Sequence, residues 1–198
     1  MASRLLLIRH ADTGPANRER LVGSTDISAS PAGLDAVGRL AAVLERFAPE
    51  SWYCSPMLRA RQTADRLGPG TRPPDGMILD ERLREIDFGS WEMQRLADIL
   101  SSSDPDLIRN WSDYESFVFP GGEAVSAFGR RVAEIFSLVR EAEGREICLI
   151  SHGGVIRTMI CQALGLPANH YLLFNIRPAT LTVLDLYSEG GVLSGLNL

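Results

Sequence analysis

Leu5, Leu6, Leu7 and Ile8 form an unbroken aliphatic run that stops abruptly at Arg9-His10, and Ile147 to Ile150 form a second that stops at Ser151-His152. Runs of this length, apolar on both sides and bounded by polar turns, predict strands buried on both faces of a sheet. Between them apolar residues recur at helical spacing. Leu34, Val37, Leu40, Ala41, Leu44 and Phe47 mark one helix, which Ser30 caps and Pro31 opens. A second helix opens at Pro56 and closes at Gly68, after the short strand Ser51 to Cys54. Val125, Phe128, Val132, Ile135, Phe136 and Val139 describe one face of a long helix from Glu123 to Glu143, ended by Gly144. A further helix runs from the turn at Gly153-Gly154 to Gly165. Small strands are expected at 77–80 and, as the last one, at 181–187.

Strands alternating with helices predict an α/β fold, a mainly parallel or mixed sheet covered by helices on both faces. A chain of 198 residues fits one domain, 1–198, with 88–120 as a lid or side-layer insertion. Within that insertion the aromatics Trp91, Trp111, Tyr114, Phe117 and Phe119 are read mainly as packing. The amino-terminal apolar run is too short for a signal peptide, and no run approaches a membrane span.

Composition narrows the chemistry. A net charge of −5 without a basic run argues against nucleic acid. All twenty basic residues are arginine, which excludes the Walker A P-loop and lysine Schiff-base chemistry. Cys54, Cys148 and Cys161 are odd in number and form no CxxC pair, so reduced core thiols and a cytoplasmic protein are expected.

In parallel sheets ligands bind beyond the carboxyl ends of the strands, so His10 and His152 are expected to converge there. Each alone is compatible with a satisfied polar residue at a strand end. Arg9 beside His10 changes the balance, because a guanidinium at a buried edge is costly without an anion. Arg59, just inside the second helix, stands at the same edge. Two arginines and two histidines suit a tetrahedral dianion, with the N–H groups of Gly153 and Gly154 as further donors. Zinc fits poorly, since ligand spacings such as HxH or HExxH are missing and the neighbours are cationic. Glu85, among Arg82, Arg84 and Asp87, reads from its surroundings as a surface ion-pair partner.

Four stretches in this order carry a resemblance that spans nearly the whole chain: LLLIRHADT, SPMLRARQTA, LREIDFGSWE and LISHGGVIR. Together they resemble the signature motifs of the histidine phosphatase superfamily, the phosphoglycerate mutase-like enzymes. The resemblance implies a phosphohistidine mechanism without metal or cofactor. His10 would be the nucleophile and Glu85 the acid and base. Arg9, Arg59, His152, Asn17 and Gly153 would hold the phosphate. It implies a small phosphomonoester as substrate, with alpha-ribazole phosphate as one candidate, and it leaves a homodimer open. The alternatives are phosphoglycerate mutase activity and non-catalytic phospholigand binding. Ala11 and Asp12 replace the family's usual glycine and glutamate, and Asn17 comes one residue late. Met93 stands where the family pattern has glycine.

Overall fold

A computed structural model of the chain describes residues 2–67, 76–102 and 114–198. Among these residues one sheet has six strands: β1 (Ser3–Arg9), β2 (Ser51–Cys54), β3 (Ile78–Leu79), β4 (Glu146–Ser151), β5 (Leu181–Tyr187) and β6 (Gly190–Gly195). Their order is β3-β2-β4-β1-β5-β6. The pairs β3/β2, β2/β4 and β4/β1 are parallel, whereas β5 runs antiparallel to both β1 and β6. The sheet is therefore mixed, as expected.

The two-residue period of β1 divides its aliphatic run between two cores. Leu6 and Ile8 join Trp52, Cys54, Cys148 and Ile150 beneath α1 (Pro31–Leu44) and α2 (Leu58–Leu67). Leu5 and Leu7 face the other way with Ile147 and Leu149, under α4 (Val125–Glu141) and α5 (Gly153–Leu164). Leu5 to Ile8 are all fully buried, which is why the run contains no polar residue. Each such side chain contributes about 1.5–3 kcal/mol relative to exposure. The three cysteines are buried and form no disulfide.

Ser30 caps α1, its hydroxyl accepting from the Gly33 N–H at 3.1 Å, with Pro31 at the first helical position. Gly165 ends α5 in the left-handed conformation, φ 65°. Two features differ from the sequence reading. The second helix begins at Leu58 rather than Pro56, because its Leu58 N–H is capped from afar by the Asp26 carboxylate at 2.6 Å. Its expected end at Gly68 lies outside the described residues. A strand follows 181–187 after all: β6, GGVLSG, hairpins back onto β5 although its glycines give no strand signal. The 88–120 segment contains a 3-10 turn at Gly89–Trp91 and α3 (Leu96–Ser102). Trp91, Phe117 and Phe119 are buried and meet edge to face or tilted at 5.0–5.7 Å, so these aromatics pack as read. Trp111 lies outside the described residues.

Candidate active site

The parallel ladder of β1 and β4 sets the centre of the site. Arg9 is opposite Ser151 in register, and the His10 N–H donates to the Ser151 carbonyl at 2.9 Å, so both strands release a histidine at the same level. The two imidazoles lie 5.0 Å apart between ring centroids, although 142 residues separate them in the chain. His10 is 7% exposed and His152 fully buried.

Nδ1 of His10 lies 2.8 Å from the Ala11 carbonyl. A carbonyl only accepts, so Nδ1 carries the proton and Nε2 keeps a free lone pair. Burial pushes the His10 pKa well below its ordinary value, and Arg9 and Arg59 push it further the same way. His152 is lowered likewise, by burial first and then by Arg59, His10 and Arg9. Its Nε2 contacts the Ser55 hydroxyl at 2.7 Å, a residue contributed by the end of β2. Both rings are therefore neutral at pH 7.

Arg59 is fully buried in the first turn of α2. Its terminal nitrogens donate to the Gly23 and Thr25 carbonyls at 2.7 and 3.0 Å. That loop is gripped from behind by Glu92, whose carboxylate accepts from the N–H groups of Gly23, Ser24 and Thr25 at 3.2, 2.8 and 3.2 Å. Glu92 also accepts from the Phe88 N–H at 3.0 Å and the Thr25 hydroxyl at 2.6 Å. Gly23 has no room for a side chain, since a methyl there would lie 2.3 Å from Glu92 Oε1. Thr63 joins the loop after β1 to α2, accepting from the Ala11 N–H at 2.8 Å and donating to the Arg59 carbonyl at 2.7 Å.

Arg9 donates to the Ile176 carbonyl, and its pKa is lowered to about 10, by burial first and then by Arg157. Three buried nitrogens, Nε of Arg9, Nε of Arg59 and Nδ1 of His152, have no hydrogen-bond partner. Leaving a buried donor unmatched costs about 1–3 kcal/mol. Two unmatched guanidinium donors and the unmatched Nδ1 of His152 beside the His10 imidazole make a seat suited to an oxyanion.

Glu85 follows the 3-10 turn Glu81–Leu83 and makes no ion pair among the described residues, so the surface ion-pair reading does not hold. Its carboxylate accepts from the Gly154 N–H at 2.9 Å and the Ile86 N–H at 3.1 Å. A methyl on Gly154 would lie 2.2 Å from Glu85 Oε1. The Gly154 N–H is thus taken up by the Glu85 carboxylate, which corrects the expectation of two glycine donors open to an anion. Gly153 borders the Arg9 guanidinium. The Glu85 backbone is braced by Arg131, which donates to the Arg82, Arg84 and Glu85 carbonyls at 2.9, 2.7 and 3.1 Å. Glu123 holds Arg131 in turn through two bonds of 2.8 and 2.9 Å.

A cleft of about 340 Å³ opens on this centre, lined by Arg9, His10, Asp12, Asn17, Arg20 and Glu85 among others. Asn17 reaches the cleft, with one amide N–H given to the Thr13 carbonyl at 3.1 Å. Asp12 stabilises its own turn, accepting from the Gly14 N–H, and makes no contact with the His10 ring. Ala11 is not strained, since among the described residues the non-glycine ones with positive φ are Met93, Ala179 and Asn197. Met93, at φ 61°, holds the left-handed turn for which the family pattern uses glycine. Among the described residues no group of three or more His, Cys, Asp or Glu is arranged to hold a metal.

The roles of Ser55, Thr63 and Glu92 escape sequence reasoning although all three lie inside the quoted motifs. Their partners, the His152 ring for Ser55 and backbone N–H groups for Thr63 and Glu92, come from distant segments, which no local pattern announces.

Comparison with known proteins follows the same lines. The family model described as "Histidine phosphatase superfamily (branch 1)" matches residues 5–198. The adenosylcobalamin/alpha-ribazole phosphatase of Escherichia coli is 28% identical over 196 residues, covering 98% of this chain and 95% of that one. Phosphoserine phosphatase 1 of Hydrogenobacter thermophilus is 26% identical over 197 residues, covering 98% and 92%. Among solved structures, the mycobacterial glucosyl-3-phosphoglycerate phosphatase superposes with a TM-score of 0.82 at 27% identity, covering 100% of this chain and 99% of that one.

Proposed function

Because the chain belongs to the histidine phosphatase superfamily, we propose that it hydrolyses small phosphomonoesters through a phosphohistidine on Nε2 of His10, with 1–198 acting as one catalytic domain. The observation that carries this reading is the trio of unmatched buried nitrogens on Arg9, Arg59 and His152 around an imidazole whose Nε2 is unprotonated.

The substrate phosphoryl group sits among those donors. Nε2 attacks phosphorus, and the ester oxygen leaves opposite, taking a proton from the Glu85 carboxyl. In the second step the Glu85 carboxylate takes a proton from water, the hydroxide attacks phosphorus, and His10 is released with inorganic phosphate. Arg9, Arg59 and His152 match the charge on the equatorial oxygens in both steps, each clamp being worth about 3–4 kcal/mol. Asn17 and Gly153 complete the rim of the seat. No step requires a metal.

The relatives named above act on three different phosphate esters by name. Family membership therefore does not choose the leaving group, and alpha-ribazole phosphate is one candidate among several. No helix among the described residues is long and apolar enough to cross a membrane.

His10→Ala is expected to lower release of phosphate from 4-nitrophenyl phosphate by several orders of magnitude with the melting temperature retained. Wild type quenched in alkali during turnover should carry one added, acid-labile PO₃ unit on the His10 peptide, which the variant lacks. Turnover by His10→Ala within about tenfold of wild type would overturn the assignment.

A further inference from the structure

The ladder that sets the two histidines level extends to β2. Cys54 stands opposite Ile150, and the Ser55 N–H donates to the Ile150 carbonyl at 2.9 Å, so a third parallel strand releases Ser55 at the edge where β1 and β4 release His10 and His152. Ser55 is fully buried. Among the described residues its hydroxyl oxygen meets two groups, the Met57 N–H at 3.4 Å and Nε2 of His152 at 2.7 Å. A hydroxyl has one proton to give and lone pairs that accept. The Met57 N–H can only donate, so the Ser55 proton has one acceptor within reach, Nε2 of His152. A proton placed on Nε2 instead would leave the hydroxyl proton buried without an acceptor, which costs free energy.

A neutral imidazole carries one proton, and the bond made at one nitrogen decides which nitrogen holds it. With Nε2 accepting from Ser55, the proton of His152 belongs on Nδ1, the buried nitrogen left without a hydrogen-bond partner among the described residues. The two rings, 5.0 Å apart, thus receive the same tautomer by opposite devices. The Ala11 carbonyl accepts from Nδ1 of His10 and bares Nε2, whereas the Ser55 hydroxyl donates to Nε2 of His152 and leaves Nδ1–H to give. The other tautomer of His152 would offer the seat a lone pair in place of a donor, and a lone pair repels a phosphoryl oxygen.

We propose that Ser55 is a positioning residue that fixes the Nδ1–H tautomer of His152, so that a neutral ring donates to the transferring phosphoryl group. Ser55 itself touches no substrate. What the donor does rests on the phosphatase reading above, whereas the tautomer is a property of the folded chain and is measured without turnover.

Heteronuclear NMR of protein with isotope-labelled histidine rings tests it, the His152 signals being identified by their loss in His152→Ala. At about pH 7.5 wild type should show Nδ1 of His152 protonated and Nε2 bare. Ser55→Ala should move that proton to Nε2, in part or in whole, and lower kcat/KM for 4-nitrophenyl phosphate by about 10- to 100-fold. The same change in a His152→Ala background should cost no more than about twofold, because the ring through which Ser55 acts is gone. A wild-type His152 protonated on Nε2 overturns the proposal. So does a Ser55→Ala variant that keeps either the Nδ1–H tautomer or the full rate, and so does a cost undiminished in the His152→Ala background, since Ser55 then serves only the end of β2. Should Ser55→Ala not fold, Ser55→Cys, whose thiol is a poorer donor, takes its place, and the wild-type spectrum decides the tautomer without any variant. A wild type that turns over no phosphate ester while His152 is protonated on Nδ1 overturns the phosphatase reading and leaves the tautomer standing, so the two failures are told apart.

Discussion

At the scale of single residues, the site depends on a charge that never meets the phosphate. Glu92 wraps itself in three consecutive N–H groups, and the carbonyls of the same loop receive Arg59. Glu92→Gln keeps the shape but weakens the charge-assisted bonds, so it should lower kcat/KM for an aryl phosphate by about 10- to 100-fold. Because Glu92 acts through Arg59, the same change in an Arg59→Ala background should cost little more, a non-additivity that a double-mutant cycle reads directly. Full additivity would show that Glu92 acts elsewhere. His10, His152, Arg9 and Arg59 were legible before any coordinates, because cations at the ends of buried strands conflict with burial and point to an anion. Glu85 was legible only through the motif around it. Glu92 was silent, since a carboxylate in a nest of amides looks, in a sequence, like any surface charge.

At the scale of elements, α1 is docked by its first turn against the loop that follows His10. The Asp12 carbonyl accepts from both the N–H and the hydroxyl of Ser30, at 2.8 and 2.9 Å. Gly33 follows so closely that a methyl on it would lie 2.2 Å from that carbonyl oxygen. Gly33→Ala should therefore destabilise by about 1–3 kcal/mol and lower kcat by shifting residues 10–12. Gly38→Ala, five residues along the same helix with nothing within 4 Å of the added carbon, should stabilise by up to about 1 kcal/mol. Melting temperatures and steady-state rates of the pair give the comparison, and a neutral Gly33→Ala would sink the docking argument. Helices were read well because their faces repeat over several turns and their ends carry Ser30, Pro31, Gly144 and Gly165. β6 was not read, because its stability comes from pairing with β5 rather than from its own residues. The start of α2 slipped for a like reason, its cap being supplied by Asp26 from another segment.

At the scale of the whole molecule, stability is tied to two neutral histidines. The folded chain holds the pKa of His10 and of His152 below the ordinary value of 6.5, whereas the unfolded chain does not. Below about pH 6.5 the unfolded state therefore binds more protons, and stability falls as pH drops from there toward the folded-state values. Above that window the two rings contribute no slope. The loss approaches about 1.4 kcal/mol per pH unit for each ring. Urea midpoints at about pH 7.5, 6.5 and 5.5 should fall on the acid side, and the fall should be shallower in His10→Asn. An equal fall in the variant would assign the effect to other groups.

The pairing of Arg9 with Ser151 across the β1–β4 ladder has a wider meaning. The spacing between the two imidazoles is measured out by main-chain geometry, which every amino acid shares, and so it is indifferent to drift in the surrounding side chains. Selection can therefore exchange the rim, altering which alcohol departs, while the centre that handles phosphorus is inherited intact.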